Sequence, residues 1–412
     1  MAKKLLIIGF VWPEPKSSAA GSRMMQLIKV FLNEGYNITY ASPCAKSDNA
    51  FNLESIGVSQ VGIELNNSSF DAFIKDLKPD VVLFDRFMIE EQFGWRIAEN
   101  CPEALRILDT EDLHCLRKAR EQALKDNNPF NTSYLFRDIA KREIASIYRS
   151  DLSLIISETE MAILQNDFGV PENILHYLPF LVDDVSDEKK EILPSFKKRQ
   201  HFITIGNFLH PPNLDAVKYL SQTIWPKIRV QLKDTELHVY GAYASEKVMQ
   251  YEDKKNGLFI KGYTKNVNDV MSNARVCLSP LRFGAGLKGK FFDAMQNGTP
   301  FITTSIGAEG IVNLGDDFNF GVDTVNGIVK HAVTLYQEDA MWLQQQELGF
   351  NLLSKKFNKK FHLRRFLNRV ENALINKEAN RLKNFTGAML QHHTMQSTKF
   401  MSRWIEEKNK TN

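Results

Sequence analysis

The sequence predicts an α/β fold: two doubly wound, Rossmann-like domains facing each other across a cleft. Three observations carry that expectation. Short apolar runs alternate with amphipathic stretches along most of the chain, and repeated strand–helix–strand units dictate parallel sheets with helices on both faces. One charged, proline-bearing stretch breaks the alternation, which then restarts. Finally, 412 residues with 43% hydrophobic and 25% charged side chains are ordinary globular composition at a length for two or three domains.

KLLIIGF (4–10) reads as a fully buried first strand. Lys3-Lys4 ahead of it would also suit a secretory leader. Gly9 inside the run and Pro13, Glu14, Pro15 and Lys16 after it favour a strand entering a loop. Met24, Leu27, Ile28, Phe31 and Leu32 then recur at helical spacing and stop near Gly35. NITYAS (37–42), VGIEL (61–65), DVVLFD (80–85), ALRILD (104–109), LSLIIS (152–157) and a run near 174–178 read as further strands. Residues 116–150 read as two helices interrupted at Asn127-Asn128-Pro129.

LPFLVDDVSDEKKEILPSFKKRQ (178–200) carries two prolines and a dense mix of charges, the composition of a linker. The expected division is a first domain at 1–182, a linker at 183–200 and a second domain at 201–365. HFITIG (201–206), ELHVYG (236–241), GLFIKG (257–262), ARVCLSP (274–280) and TPFITT (299–304) are its strands, and 212–231 its first helix. Residues 339–376 read as helical. Ligands bind such sheets at the carboxyl ends of the strands, so the expected site lies between the domains.

Several classes of function are disfavoured. The net charge of +3 lacks the clustered basic excess of a duplex-DNA binder; no nucleic-acid partner is expected. Cys44, Cys101, Cys115 and Cys277 show no C-x-x-C spacing, which argues against structural zinc and fits a reducing cytoplasm. No apolar run reaches the ~18 residues of a membrane span. No D-x-D triplet stands at a strand end, and DDFNFGVD (316–323) reads as a loop, so neither a metal nor another cofactor is expected.

The most informative stretch is PLRFGAGLKGKFFDAMQNGTPFITTSIGAEG (280–310). Gly284, Gly286 and Gly289 allow backbone N–H groups to approach an anion, and a helix starting near Lys288 presents its positive end there. Lys290, Asp293 and Asn297 fall at i, i+3 and i+7 on one polar stripe, beside Phe291, Phe292 and Met295 on an apolar one. The plainer alternative is a glycine turn and a solvated Lys290–Asp293 pair. In the first half, Trp12–Gly21 follows the first strand, with Arg23 on the next helix to meet an anion or to be solvated. Asp109, Glu111, Asp112 and His114 follow another strand end, where His114 can position a hydroxyl or take its proton.

GAGLKGKFFDAM and TPFITTSIGAEG resemble the carboxyl-terminal motif of retaining nucleotide-sugar glycosyltransferases of GT-B architecture, the "glycosyl transferases group one" family. IGNFLHPPNLDAVKYL (205–220), the opening WPEPKSSAAGSRMMQLIKVFLNEGYNITYAS and LDTEDLHCLR (108–117) are similar to other family segments, so the resemblance spans about 4–340. It implies that Lys290 contacts the donor diphosphate and Asp293 the ribose. Gly284, Ala285 and Gly286 would offer backbone amides, and Gly206 would lie beneath the diphosphate. Glu309 in the second glycine-rich loop joins the donor-binding set. Two departures stand out. Ala285 occupies the place of the family's first glutamate, and Arg282 or Lys288 would replace an arginine absent from GNFLHPPN. The acceptor half would use Gly21 and Arg23, with His114 and Asp112 at the reacting sugar.

The implied activity is transfer of a sugar, with retention, from a nucleoside diphosphate sugar to a glycan or lipid-linked acceptor in cell-surface polysaccharide or glycoconjugate synthesis. A non-catalytic nucleotide-sugar binder and a sugar-nucleotide epimerase share the architecture. The family also implies that 366–412 begins with a helix returning to the first domain. In the tail Phe400, Met401, Trp404 and Ile405 recur at helical spacing among Lys399, Arg403, Lys408 and Lys410. That stripe either packs on the first domain or makes a weak peripheral contact with a membrane, which would place a cytoplasmic protein at the inner membrane face.

Overall fold

The computed structural model of the chain describes residues 2–312 and 321–410, with the side chains of 393–395 also set aside. Its first half holds a seven-stranded, all-parallel sheet. The strands are β1 (Lys4–Ile8), β2 (Asn37–Ser42), β3 (Ser59–Gly62), β4 (Val81–Asp85), β5 (Leu105–Asp109), β6 (Leu152–Ile155) and β7 (Leu175–Tyr177). They lie in the order β3-β2-β1-β4-β5-β6-β7. Strand β1 is central, with Leu5 opposite Ile38 on one side and Val81 on the other.

Continuous apolar runs are needed here because both faces are covered. Leu6, Ile8, Val82, Phe84 and Leu108 enter one core, while Leu5, Ile7, Val81, Leu83 and Ile107 enter the core on the opposite face. The two-residue period thus divides each strand between two hydrophobic layers. Fully burying each such side chain contributes about 1.5–3 kcal/mol. Strand β3 stops short of the expected 61–65. Its partner β2 ends at Ser42, paired with Gly62, and Pro43 follows without an N–H to extend the ladder.

The second sheet comprises β8 (Gln200–Ile205), β9 (Leu237–Tyr240), β10 (Leu258–Gly262), β11 (Ala274–Leu278) and β12 (Phe301–Ile302). Its order is β10-β9-β8-β11-β12, again all parallel. Each half therefore reverses its strand order beside its first strand, the crevice where doubly wound sheets take ligands. Between the sheets the charged segment forms a short helix, Asp187–Ile192, capped by Ser186. Arg199 anchors its far end. This fully buried guanidinium donates to the carbonyls of Pro194, Ala274 and Asn297 and to Thr299 Oγ1.

The chain then crosses back. Helix Lys359–Ile375 lays Phe366, Val370 and Ala373 into the first domain's core. Helix Phe385–Lys410 packs on helices Phe87–Asn100 and Asp138–Arg149. Arg96 donates to Ser402 Oγ at 3.1 Å, and the Ser68 amide donates to Glu406 at 2.8 Å. The helix docks, but not through the stripe that the sequence singled out. Phe400, Met401 and Trp404 are 58–63% exposed on its outer side, because polar and charged anchors occupy the inner one. Among the described residues no helix is long and apolar enough to cross a membrane.

Candidate active site between the two domains

At the end of β5 the fully buried Asp109 accepts from Arg23 Nε at 3.0 and 3.1 Å and from Nη2 at 2.8 Å. Arg23 Nη1 donates to the Leu178 carbonyl at 2.8 Å. Arg23 is 1% exposed, so it ties β5 to the chain after β7 rather than facing an acceptor. A guanidinium taken out of water needs such a full set of partners. Gly21 is also a packing residue: a Cβ there would stand 2.4 Å from the Glu14 backbone. Its bareness lets helix Ala19–Asn33 lie against the loop that precedes it.

Beyond Asp109 the chain turns through Glu111, at φ +62°, into helix His114–Lys125. The first amides of that helix are capped from elsewhere. His114 and Cys115 donate to Glu143 at 2.9 and 2.8 Å, and Leu113 donates to Glu160 at 2.8 Å. Burial raises the Glu143 carboxyl to about 7 and Glu160 to about 8, against those amide bonds. His114 Nε2 lies 3.5 Å from Asp112, which accepts from Arg117 Nε at 2.7 Å. Burial lowers His114 to about 3, so it stays a neutral imidazole, with Asp112 pulling the other way. Burial would raise Asp112 itself, but Arg117 and His114 hold it well below the usual carboxylate range.

The glycine-rich loop after β11 approaches this region from the other domain. Gly284 and Gly286 have φ +152° and +63°. A Cβ on Gly286 would come within 2.9 Å of Asp112 Cβ, so only glycine allows the loop to dock there. The Gly286 amide, which the family resemblance assigned to a phosphate or sugar, donates instead to Glu160 at 2.8 Å. Ala285 packs into the first domain's core. Arg120 donates to the Gly284 carbonyl at 2.9 Å and meets both oxygens of Glu309 at 2.8 and 2.6 Å. Lys288 Nζ donates to the Gly286 carbonyl, and burial lowers its pKa to about 8. Arg282 is paired with Asp215 and lies over the Tyr219 ring. The structure therefore gives Gly286, Glu309 and Arg282 protein partners, and two of these three tie one domain to the other.

Lys290 and Asp293 are placed differently. Helix Gly289–Gln296 carries both. Lys290 Nζ donates to Asn213 Oδ1 at 2.8 Å and Ser279 Oγ at 3.2 Å. Gly206, at the end of β8, sits against the same Asn213, 2.6 Å from where its Cβ would be. Asp293, one turn on, is half-buried, and no described residue hydrogen-bonds or ion-pairs its carboxylate. Burial lowers Lys290 to about 8 and raises Asp293 to about 7, with Lys290 opposing the latter. Thus Gly206 and Lys290 meet at Asn213 at the mouth of the second sheet, with Asp293 one helical turn farther on. His114 and Asp112 stand across the cleft, and the exposed His210 lies within electrostatic reach of Asp112 and Lys290.

Nothing local in the sequence marks Glu143, Glu160 and Arg120 as partners in this site. Their only signal was charge on otherwise apolar helix faces. Among the described residues no three His, Cys, Asp or Glu side chains form a group that could hold a metal. Residues 316–320 of DDFNFGVD lie outside the described residues.

Comparison with known proteins converges on this architecture. Residues 199–338 match the family model described as glycosyl transferases group 1. A Klebsiella pneumoniae protein, described as an uncharacterized 44.6 kDa protein in the cps region, is 24% identical over 289 residues, 66% of this chain and 69% of that one. TarM superposes with a TM-score of 0.68 at 10% identity, over 90% of this chain and 99% of that one. HepE of Anabaena, solved with UDP and glucose, gives 0.62 at 12% identity over 90% and 100%. A larger S. aureus TarM structure, solved with Fondaparinux, alpha-GlcNAc-glycerol and UDP, is matched over only 57% of its length, with a TM-score of 0.56 at 14% identity over 73% of this chain. At these identities the solved structures establish the fold. Residues 199–338, in the second domain, thus match the glycosyl transferases of group 1, and the chain as a whole takes the two-domain GT-B fold.

Proposed function

We propose that this chain moves a sugar, with retention, from a nucleoside diphosphate sugar to a hydroxyl of a glycan or lipid-linked acceptor, in cell-surface polysaccharide or glycoconjugate synthesis. The observation that carries the reading is the pairing of Lys290 and Asp293 on one helix face above Gly206. A lysine held by neutral oxygens keeps its charge for a diphosphate, and a carboxylate with no hydrogen-bond partner among the described residues can take ribose hydroxyls. Lys290, with the positive end of its helix, would stabilise the departing diphosphate without a metal. The first domain would hold the acceptor, with neutral His114 near the reacting hydroxyl. The relatives support the setting: one lies in a cps region, and WaaG, another fold neighbour, is described as involved in lipopolysaccharide biosynthesis.

One observation favours a second reading. The Gly286 amide and Glu309 are already occupied across the domain interface, as in a protein that binds a nucleotide sugar without turning it over. Incubation of the protein with radiolabelled nucleotide sugars and lipid or glycan acceptor fractions separates the two. Label entering an acceptor establishes transfer; donor binding without transfer establishes a binder; a changed sugar without acceptor marks an epimerase. The outward aromatic side of helix Phe385–Lys410, flanked by Lys399, Arg403, Lys408 and Lys410, would add a weak contact with an anionic membrane on the cytoplasmic side.

A further inference from the structure

The two domains are bridged at two places, and the bridges differ in kind. At one, Arg120, Glu309, Glu160 and the Gly286 amide form a largely buried polar contact. At the other, the loop after β9 reaches the first domain through Tyr243, which is 37% exposed. The Tyr243 hydroxyl donates to Glu14, 2.9 Å from each carboxylate oxygen, and Asn49 Nδ2 donates to it at 3.3 Å. Glu14 belongs to the loop after β1 and Asn49 to the segment after β2. One side chain of the second domain therefore holds two loops of the first.

Each end of this contact is anchored without the other. Glu14 Oε2 also accepts from Ser17 Oγ and Oε1 from Ser47 Oγ, while the Glu14 carbonyl accepts from the Ser17 and Ser18 amides. In the second domain the Phe208 amide donates to the Ala242 carbonyl at 3.2 Å. Gly241 lies so close to Gly206 that a Cβ on it would stand 2.1 Å from the Gly206 carbonyl oxygen. The loop carrying Tyr243 thus rests on the strand end proposed for the diphosphate. Tyr243 holds left-handed backbone, at φ +61°, a conformation that non-glycine residues keep only where their surroundings enforce it. The polar partners of its side chain are Glu14 and Asn49, both across the cleft.

We propose that the Tyr243–Glu14 contact is a latch on the cleft. Made, it closes the rim over the donor site. Broken, it lets the domains part about the buried Arg120–Glu309 side, so that a nucleotide enters and leaves. The ligand of the latched cleft rests on the transferase reading above; the contact itself does not. The difference between the two bridges sets the order of opening. At the exposed rim, water replaces each partner of the phenol–carboxylate bond, so parting is nearly balanced. Parting Arg120 from Glu309 would leave charge in a largely buried place.

The test uses the full chain as wild type, Tyr243→Phe and Glu14→Gln. The first substitution removes one hydroxyl from an exposed ring. The second keeps an oxygen to accept from Ser17 or Ser47, so both variants keep the fold. Hydrogen–deuterium exchange without ligand reads opening in loops 13–18 and 241–245, with helix His114–Lys125 as the reference. Stopped-flow mixing with fluorescent analogues of UDP, GDP and ADP reads nucleotide entry and release. Expected in Tyr243→Phe is about threefold faster exchange in both loops, the worth of one hydrogen bond, with the reference helix unchanged. Association and dissociation of the nucleotide should quicken together and leave Kd as it was, and Glu14→Gln should shift both readouts in the same direction. Unchanged exchange in Tyr243→Phe would overturn the latch. Faster dissociation with unchanged association would also overturn it, by making Tyr243 a direct contact of the nucleotide. The expected exchange in a protein that binds none of the nucleotides would keep the latch and sink the transferase reading.

Discussion

Arg120 of the first domain grips Glu309 of the second through both carboxylate oxygens, at 2.8 and 2.6 Å, while donating to the Gly284 carbonyl. This contact fixes the glycine-rich loop against the first domain's side of the cleft. Glu160 does the same by accepting from Leu113 and Gly286 with one oxygen. The two halves are thus joined by buried polar bonds as well as by apolar packing.

Breaking that pair should be costly. Arg120→Ala leaves Glu309 and the Gly284 carbonyl without their donor in a largely buried site, and removing one partner of a buried pair costs about 3 kcal/mol or more. Urea unfolding of Arg120→Ala, Glu309→Ala and the double variant should show a double-variant loss well short of the sum. Strict additivity would mean that the two residues do not act on each other.

His114 is held neutral by burial, down at about 3 from an ordinary 6.5. As acid is added below 6.5, the unfolded chain takes up a proton that the folded chain refuses, so the folded state loses stability toward pH 3. His114→Phe should flatten that part of the stability–pH curve. If the first domain holds the acceptor, as proposed, His114→Ala should lower turnover more than donor affinity. Unchanged turnover would leave it a packing residue against Phe87, whose ring it meets edge-on at 5.4 Å.

EDTA should leave turnover largely intact, because lysine, helix dipole and backbone can neutralise the departing diphosphate. Loss of activity restored by Mg²⁺ or Mn²⁺ would assign the carboxylates a role that this account does not give them.

The tail can be separated from the catalytic body. With the aromatic side of helix Phe385–Lys410 facing outward, the full chain should co-sediment weakly with anionic liposomes and not with neutral ones. A chain ending at Lys377 should bind neither. Equal, negligible sedimentation of both would reduce the helix to a cover for its two partner helices.

The strands were legible in the sequence because each is an apolar run that both sheet faces require, as in KLLIIGF and DVVLFD. The edges of β3 were not, because its length follows from where β2 ends. The placement of Lys290 and Asp293 on one helix after the glycines was legible through their spacing. Arg23 was misjudged, since nothing local in the sequence shows that Asp109, 86 positions away, lies within bonding distance. The same holds for Glu160 and Arg120, each of which reaches a partner in the other domain. In the tail the helical period was readable, but which side would face inward depended on Arg96 and Ser68, far away in the chain.

On the proposed function, Lys290 and Asp293 hold the donor. The most direct measurement is thermal stabilisation of wild type, Lys290→Ala and Asp293→Ala by UDP, GDP, ADP and their sugars. A ligand at 100 times its dissociation constant stabilises by about 2.7 kcal/mol. Each variant should fold as wild type does but bind with roughly 1.5–3 kcal/mol less free energy, the loss for a hydrogen bond to a charged group. Wild-type affinity in both variants, or no stabilisation of wild type by any nucleotide, would contradict the account.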